Sequence, residues 1–441
     1  MSKTVRLLYG KTGIEVRVPD SATILEAKSP PAIADPSKAV MDALAKPIGS
    51  PPLAELIRRK KPRTVAITIS DITRPVPNKT FIPAILKTLN DCGVADRRIV
   101  IIIGTGMHRH TAPEEMDMLL GREVLARVEV IDHDAHDPST LVQVSSDPPV
   151  FICRRFVQAD FRILTGYIEP HFMAGFSGGR KGICPALVDL ATVQRFHGYR
   201  TLADPRADGA VLEGNPCHEI ALRIAKIVGV DFLFNVAVTR DHRLAGVFCG
   251  NLVEAHLAGC RKVAGWATAE FDNAKGHFDL VVTNGGGYPL DLTFYQTVKG
   301  MVSALPALCE HSTLLLVSQC AEKFGSKAYT DLMMSYGPDW KRFLADIAAR
   351  PDETRLDQWE YQMQARVLAR IGVNRLWFVS DGMPLEMQKL AAVNPIVCEG
   401  DCAARTQRTI DEFVAAWPKA TIAVIPDGPY TMIRRAGGQR K

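Results

Sequence analysis

Two short apolar runs separated by a helical segment constrain the fold of this chain more than any other feature. The runs span residues 64–69 and 99–103, and residues 81–92 between them have the composition of a helix. A strand that is almost entirely apolar is buried on both faces, which is typical of a parallel sheet covered by helices. The sequence therefore predicts an α/β fold in which a mainly parallel sheet is flanked by helices.

The chain of 441 residues is too long for one ordinary hydrophobic core, so two domains are expected. A hairpin is predicted over residues 3–18, and a second series of strands alternates with helices beyond residue 277. We expect an N-terminal catalytic domain at 1–272, a smaller C-terminal α/β domain at 275–430, and a basic tail at 431–441. The active site is expected in the cleft between the domains.

Composition excludes several classes of function. The formal net charge is only +5, from 53 basic and 48 acidic residues, and no basic patch indicates nucleic-acid binding. The first residues lack the apolar core of a signal peptide, and no run reaches the ~20 apolar residues of a membrane span. The ten cysteines form no CxxC pair, which argues against a zinc site or a disulfide scaffold. A cytoplasmic protein is expected.

Polar loops follow three of the predicted strands. Asp71 and Arg74 follow the first strand, His108 follows the second, and a third strand at 161–165 leads towards His171. In a parallel sheet the carboxyl ends of the strands share one edge, where ligands bind. These four side chains are therefore predicted to converge.

One segment, residues 166–198, carries an unusual density of functional residue types. His171 can transfer protons near neutral pH, and the glycine-rich loop at 175–179 could bring backbone amides close to a phosphate. Lys181 could contact a phosphate, lie exposed, or anchor a cofactor covalently. His197 could be a metal ligand or a structural residue. Spacing alone leaves these alternatives open.

Two further groups of residues have weaker signals. His133 and His136 lie among aspartates and are interpreted as part of a solvated loop. Gln296 and Lys299 are three residues apart, so they share a helix face. This helix follows the glycine loop at 285–287, and Lys299 could hold a substrate carboxylate together with Arg74. A surface lysine is the alternative.

Taken in order, these segments resemble the LarA family of nickel-dependent lactate racemases. The matching motifs are SDITRP, GTGMHR, EPHFMAGFSGGRKG with the following His197, and YQTVKG, and they cover about residues 64–300. One departure is Ala186, which follows Pro185 where a glycine is expected in the family.

The resemblance implies a nickel-pincer nucleotide, a pyridinium mononucleotide whose two sulfur-bearing arms and one ring carbon bind Ni(II). Lys181 matches the lysine that attaches the cofactor, and His197 matches the histidine that completes nickel coordination. Other positions matching residues that line the cofactor are Asp71, Ile72, Thr73, Arg74, Gln296 and Lys299. The matching catalytic residues are His108, His171, Arg74 and Lys299.

The activity implied is racemisation or epimerisation of a 2-hydroxy carboxylate, either lactate or a larger acid. Hydride moves from the substrate carbon to the cofactor and back, while a pair of histidines acts as acid and base. Cofactor-synthesis proteins are the expected partners. One alternative is a nicotinamide-dependent 2-hydroxyacid oxidoreductase, suggested by the parallel sheet and Gly104-Thr105-Gly106, although the full glycine fingerprint is missing. Another is a histidine-rich metal-binding protein.

Overall fold

The computed structural model describes residues 2–436, and contacts between residues divide the chain into two compact units. The first unit comprises residues 29–197 and 204–266. The second unit comprises the described residues of 1–28, 198–203 and 267–441. Each unit is built around its own six-stranded sheet.

The strands follow one another along the chain, and most are short. They are β1 (Ser2–Leu7), β2 (Ile14–Pro19), β3 (Thr23–Ile24), β4 (Val65–Ser70), β5 (Ile99–Gly104), β6 (Glu129–Asp132), β7 (Leu141–Ser146), β8 (Pro149–Cys153), β9 (Phe161–Tyr167), β10 (Pro170–His171), β11 (Gly175–Phe176), β12 (Phe232–Val238), β13 (Leu244–Gly250), β14 (Thr268–Phe271), β15 (Leu280–Asn284), β16 (Thr313–Val317), β17 (Leu376–Val379), β18 (Asn394–Pro395), β19 (Ile422–Val424) and β20 (Met432–Arg435).

The helices alternate with these strands, as an α/β fold requires. They are α1 (Pro36–Ala45), α2 (Leu53–Lys60), α3 (Asn78–Asp91), α4 (Pro113–Leu120), α5 (Arg122–Leu125), α6 (Arg154–Val157), α7 (Leu190–Phe196), α8 (Tyr199–Ala203), α9 (Pro216–Val228), α10 (Leu252–Ala267), α11 (Phe294–Ser303), α12 (Lys327–Tyr336), α13 (Trp340–Ala349), α14 (Gln358–Ile371), α15 (Leu385–Leu390) and α16 (Cys402–Ala416). Among the described residues, no helix combines the length and apolar character that a membrane span needs.

The sheet of the first unit has the order β13-β12-β9-β4-β5-β6 and is parallel except for the β12–β13 hairpin. Helix α3 covers this sheet with Phe81, Ile85 and Leu89. These residues are four positions apart, so they lie on one face of the helix, and that face is buried. Burial of each such side chain stabilises the fold by roughly 1.5–3 kcal/mol. The predicted mainly parallel α/β fold is thus confirmed.

The central strands of this sheet end at the same edge. Ser70, the last residue of β4, pairs with Gly104 of β5, while Thr68 pairs with Leu164 of β9. Because these strands are parallel and in register, the loops that follow them leave the sheet side by side. This arrangement positions the predicted site.

The second unit has a fully parallel sheet in the order β18-β17-β16-β15-β19-β3. The hairpin β1–β2 belongs to this unit, so the compact division differs from the predicted domain 1–272 in the first 28 residues, as well as in residues 198–203 and 267–272. The reason is packing: Leu7 and Val16 join the core of the second sheet, and β3 pairs with β19. An alternating hairpin reveals its buried face but not the sheet that it covers.

The predicted basic tail also begins too early. Arg434 and Arg435 lie in β20, which pairs in parallel with β14, and Arg434 forms an ion pair with Glu270. The remaining basic residues of that prediction, Arg440 and Lys441, lie outside the described residues.

Candidate active site

The loops after β4 and β5 bring Asp71 and His108 into direct contact. The Nδ1 atom of His108 lies 2.6 Å from Oδ2 of Asp71. Thr73 donates to the other carboxylate oxygen from its hydroxyl at 2.6 Å and from its amide at 3.2 Å. Burial by itself raises the pKa of Asp71. The hydrogen bonds with His108 and the Thr73 hydroxyl and the charge of Arg74 together lower it by more than burial raises it, so the net shift of the pKa is downward. An ionised Asp71 fixes the proton of His108 on Nδ1, which leaves the lone pair on Nε2.

A tight turn holds His108 at the end of β5. The amide of His108 donates to the carbonyl of Thr105 at 2.9 Å, and the amide of Gly106 donates to Ala186 at 3.1 Å. Gly106 has a φ of +58°, a backbone region that favours glycine. Ala186, the departure from the family pattern, therefore supports this turn through its main-chain carbonyl.

Main-chain amides hold the ring of His171. Its Nδ1 atom accepts hydrogen bonds from the amides of Met173 and Ala174, both at 3.3 Å. A neutral imidazole with Nδ1 as acceptor carries its proton on Nε2. That Nε2 atom lies 3.4 Å from Nζ of Lys181. His108 and His171 thus have opposite tautomers.

Lys181 is enclosed in the first unit. Burial lowers the pKa of its amine to about 7, with further lowering by the charges of Arg180 and Arg74. The Nζ atom lies 5.1 Å from the centre of the Phe196 ring. With a pKa of about 7, much of the amine is neutral at physiological pH, and this neutral form can accept a hydrogen bond from the Nε2–H of His171. A neutral, buried lysine is the reactive form for covalent attachment.

His197 follows α7, whose first turn is capped by Asp189. Burial lowers the pKa of His197 to about 3, and the neighbouring Lys181 lowers it as well. Its Nδ1 atom donates to the carbonyl of Val193 at 3.0 Å. This hydrogen bond fixes the tautomer with the lone pair on Nε2, which is the arrangement of a metal-binding histidine with a main-chain partner.

The glycine-rich loop has a different role from the predicted phosphate cradle. The amide of Gly175 donates to the main-chain carbonyl of Asp208, and the amide of Ser177 donates to that of Glu169. The amide of Gly179 donates to the side chain of Asn235 at 2.7 Å. The hydrogen bonds of these three amides therefore go to acceptors of the protein itself and not to a phosphate. Glycine is needed here for space, since a Cβ atom on Gly175 would lie 2.1 Å from the carbonyl oxygen of Val211.

Arg74 belongs to the same neighbourhood, as its charge acts on both Asp71 and Lys181. Its Nε atom lies 4.0 Å from Glu169, a residue that the sequence analysis did not select. Ile72 packs against the hydrophobic core of the unit. Contacts and charge effects within the first unit thus link Asp71, Thr73 and Arg74 with His108, and Lys181 with Arg74, His171 and His197. That these residues form the binding site of a cofactor remains a prediction.

The second unit carries Gln296 and Lys299 on α11. Gln296 Oε1 is buried and has no hydrogen-bond partner in the described part of the chain. Glu360 on α14 is also buried; burial raises its pKa, and the charge of Lys299 opposes that shift. Glu360 has no signal in the sequence, because the polar composition of residues 357–364 indicates an exposed segment, whereas the structure has a buried helix there. That Lys299 joins Arg74 at a substrate remains a prediction.

The interpretation of His133 and His136 as part of a solvated loop was wrong for His133, which is buried, and is confirmed for His136, which is exposed. His133 is 2% exposed, and its Nε2 atom lies 3.0 Å from the carbonyl of Val188. Burial lowers its pKa to about 4. The cause is β6, a short strand that the sequence did not reveal, which places His133 against the end of β5. Within residues 2–436, no three His, Cys, Asp or Glu side chains form a group suited to a metal.

Comparisons with known proteins match the chain along nearly its whole length. Residues 9–209 match the lactate racemase N-terminal domain, and residues 273–433 match the lactate racemase C-terminal domain. The chain is 31% identical to lactate racemase of Thermoanaerobacterium thermosaccharolyticum, covering 98% of this chain and 99% of the relative. It is also 31% identical to lactate racemase of Lactiplantibacillus plantarum, with 90% of each covered.

Solved structures agree with these matches. The lactate racemase apoprotein of Thermoanaerobacterium thermosaccharolyticum superposes with a TM-score of 0.87 at 30% identity, covering 98% of this chain and 100% of the other. A protein of Thermotoga maritima has a TM-score of 0.62 at 15% identity, with 88% of this chain and 99% of the other covered, and this likeness concerns the fold alone.

Proposed function

Because the chain belongs to the LarA family of lactate racemases, we propose that it inverts the hydroxyl-bearing carbon of a 2-hydroxy carboxylate such as lactate. The observation that carries this proposal is a pair of histidines held in different ways, of which His171 lies beside the partly buried Lys181. His108 is fixed by Asp71, and His171 is fixed by two main-chain amides. When the carbon is inverted by removal and return of a hydride, the two enantiomers present their hydroxyl groups on different sides, so a pair of imidazoles that exchange the hydroxyl proton fits the reaction.

His108 is ready to act as a base. Its Nδ1 proton is held by Asp71, so the lone pair on Nε2 can accept the hydroxyl proton of the substrate. The carboxylate then stabilises the imidazolium that forms, as in a catalytic Asp–His pair. Arg74 is proposed to bind the substrate carboxylate on the same side, with Lys299 of the second unit as its counterpart.

The residues of the first unit fit the cofactor of the family. The neutral amine of Lys181 is suited to covalent attachment, and the Nε2 lone pair of His197 is suited to Ni(II). Asp71, Ile72, Thr73, Arg74, Gln296 and Lys299 are proposed to line the bound group. A nickel-pincer nucleotide, when bound, supplies the centre that accepts and returns the substrate hydrogen as hydride.

His171 has two successive tasks in this proposal. Before the cofactor is attached, its Nε2–H donates to the amine of Lys181. Where Lys181 is covalently linked, its nitrogen would no longer offer this lone pair, and the imidazole would be available to the substrate. His171 then serves as the acid or base on the face opposite His108.

The proposal is tested with the full-length protein loaded with nickel cofactor and single enantiomers of lactate and larger 2-hydroxyacids. Chiral chromatography should show formation of the opposite enantiomer. His108→Ala and His171→Ala should reduce turnover by about 10²- to 10⁴-fold, the usual contribution of a positioned acid or base. Both variants should retain nickel, whereas His197→Ala should lose it.

His136→Ala is the matched control, since His136 is an exposed histidine of the same unit, and it should behave as the wild type. Net formation of a keto acid with NAD reduction would instead support the oxidoreductase alternative. Full activity of nickel-free protein would contradict the role of the cofactor.

A further inference from the structure

Arg180 is a buried arginine with an unusual set of partners. Its side chain is 1% exposed, and its guanidinium donates to the carbonyl of Ala174 at 2.6 Å and to that of Phe176 at 2.8 Å. A third carbonyl, that of Gly178, lies at 3.4 Å, and His256 Nε2 at 3.1 Å. In the described chain the acceptors of its hydrogen bonds are main-chain carbonyls rather than a carboxylate.

A buried charge of this kind is costly. Burial lowers the pKa of Arg180 to about 10, so the side chain is still a cation at neutral pH. Removal of such an ion from water costs several kcal/mol, and carbonyl dipoles compensate only part of that. The loop could be packed more favourably around an apolar side chain. The position of the charge, immediately before Lys181, therefore needs a reason.

The hydrogen bonds of Arg180 and His171 meet at one residue, Ala174, on the two peptide units that flank its Cα atom. The carbonyl of Ala174 accepts from Arg180, and the amide of Ala174 donates to Nδ1 of His171. The amide of Met173 makes the second bond to the same nitrogen. The main chain from 173 to 178 is therefore held by the guanidinium on one side and orients the imidazole on the other.

We propose that Arg180 is a positioning residue: it fixes the main chain of 173–178 so that His171 presents its Nε2–H to the amine of Lys181. The consequence is a lysine prepared for cofactor attachment, and only this last step depends on the function proposed above. His256 assists, because its Nε2 atom lies 2.9 Å from the carbonyl of Ser177 in the same loop. The charge of Arg180 acts in the same direction, since it is among the causes that lower the pKa of Lys181.

The first unit contains a matched control. Arg162 on β9 also binds three main-chain carbonyls, those of Val157 at 2.6 Å, Val228 at 2.8 Å and Phe156 at 3.2 Å. These carbonyls belong to segments other than the loop that holds His171. Arg162→Gln removes the same kind of interaction as Arg180→Gln without touching 173–178.

The first experiment uses the wild-type full-length chain before cofactor loading. Histidine is labelled with ¹⁵N, and the resonances of His171 are assigned by their loss in His171→Gln. The ¹⁵N shifts should show a neutral ring with its proton on Nε2. A proton on Nδ1, or an imidazolium at pH 8, would overturn the proposal, and this result needs no variant of Arg180.

The second experiment measures how fast Lys181 reacts with acetic anhydride in the same protein, by peptide mass spectrometry at one fixed pH. Arg180→Gln and Arg180→Lys should both lower this rate on the order of 10- to 100-fold, because an amine that loses the Nε2–H of His171 holds its own proton more tightly, and each unit of higher pKa reduces the neutral fraction about tenfold. Lysine keeps the charge but loses the planar fork, so it should not restore the rate.

Arg162→Gln should react at Lys181 like the wild type, even where its melting temperature falls as much as that of Arg180→Gln. Wild-type reactivity in the Arg180 variants, or an equal loss in Arg162→Gln, would overturn the proposal. If the Arg180 variants do not fold, the tautomer of His171 in the wild type decides the question. Neither measurement involves racemisation, so failure here is separate from failure of the proposed function.

Discussion

The two sheets share a parallel α/β design, yet their carboxyl edges differ in what they leave accessible. After β4 and β5 the first sheet places Asp71 against His108, whose side chain is 56% exposed. After β15 and β16 the second sheet buries its polar groups: Asn284 donates to the carbonyl of Pro426 at 2.7 Å, and Ser318 lies 2.7 Å from the hydroxyl of Thr297.

The N-terminal segment accounts for much of this difference. The amide of Gly10 donates to the carboxylate of Asp291 at 2.6 Å, and the amide of Tyr288 donates to the carbonyl of Gly10 at 2.8 Å. The hydroxyl of Tyr9 donates to the carboxylate of Asp381. Residues that follow β1 thus cover the edge of the second sheet. The rule that ligands bind at the carboxyl edge of a parallel sheet is therefore insufficient alone, because an edge closed by its own chain offers little room for one.

The largest expected difference between the two edges is in turnover, and it is tested by substituting one aspartate at each edge, Asp71 and Asp381. Asp71→Asn should reduce turnover on the order of 10³- to 10⁴-fold, because an amide no longer fixes the tautomer of the neighbouring histidine. Asp381→Asn at the edge of the second sheet should leave turnover near the wild-type value. Steady-state kinetics should be normalised to nickel content, which separates a loss of catalysis from a loss of cofactor. Similar losses in both variants would remove the distinction.

Glycines at the two edges provide a smaller contrast, this time in stability. Gly175→Ala should cost about 3 kcal/mol or more, because the strained φ adds to a collision with rigid backbone; its φ is +74°, and a Cβ would lie 2.1 Å from the Val211 carbonyl oxygen. Gly286→Ala should cost only about 1–2 kcal/mol, since the nearest atoms, 2.9 Å away, are those of the Leu290 side chain. Denaturant melts of both variants test the order, and the reverse order would contradict it.

His133 gives an effect that is absent at neutral pH and develops only on acidification, and it tests whether a histidine at the first edge is structural. Its folded pKa of about 4 lies below the ordinary value of 6.5, so the unfolded chain binds more protons between these values. Stability is therefore complete above pH 6.5 and decreases as the pH falls towards 4, by up to about 3 kcal/mol. His133→Gln keeps a hydrogen-bond donor and should flatten the fall in melting temperature over this window. An unchanged slope would show that His133 is not the cause.

Much of the candidate site was accessible from sequence because parallel strands impose a simple geometry. Apolar runs at β4, β5 and β9 predicted a common edge, and His108 and Asp71 do meet there although they are 37 residues apart. Arg180 stands next to Lys181 in the motif EPHFMAGFSGGRKG, but the sequence gives no sign that it is buried. Its burial depends on carbonyls that turn inward, and no periodicity in the sequence records that.

The sequence by itself determined the α/β class, the strand ends that carry the chemistry, and the family to which the motifs belong. The tertiary structure decided which sheet the first 28 residues cover, the burial of His133 and Arg180, and the opposite tautomers of His108 and His171. The physical reason is that side-chain periodicity fixes which face of an element is buried. A tautomer or a buried charge, by contrast, depends on hydrogen-bond partners brought together from distant parts of the chain.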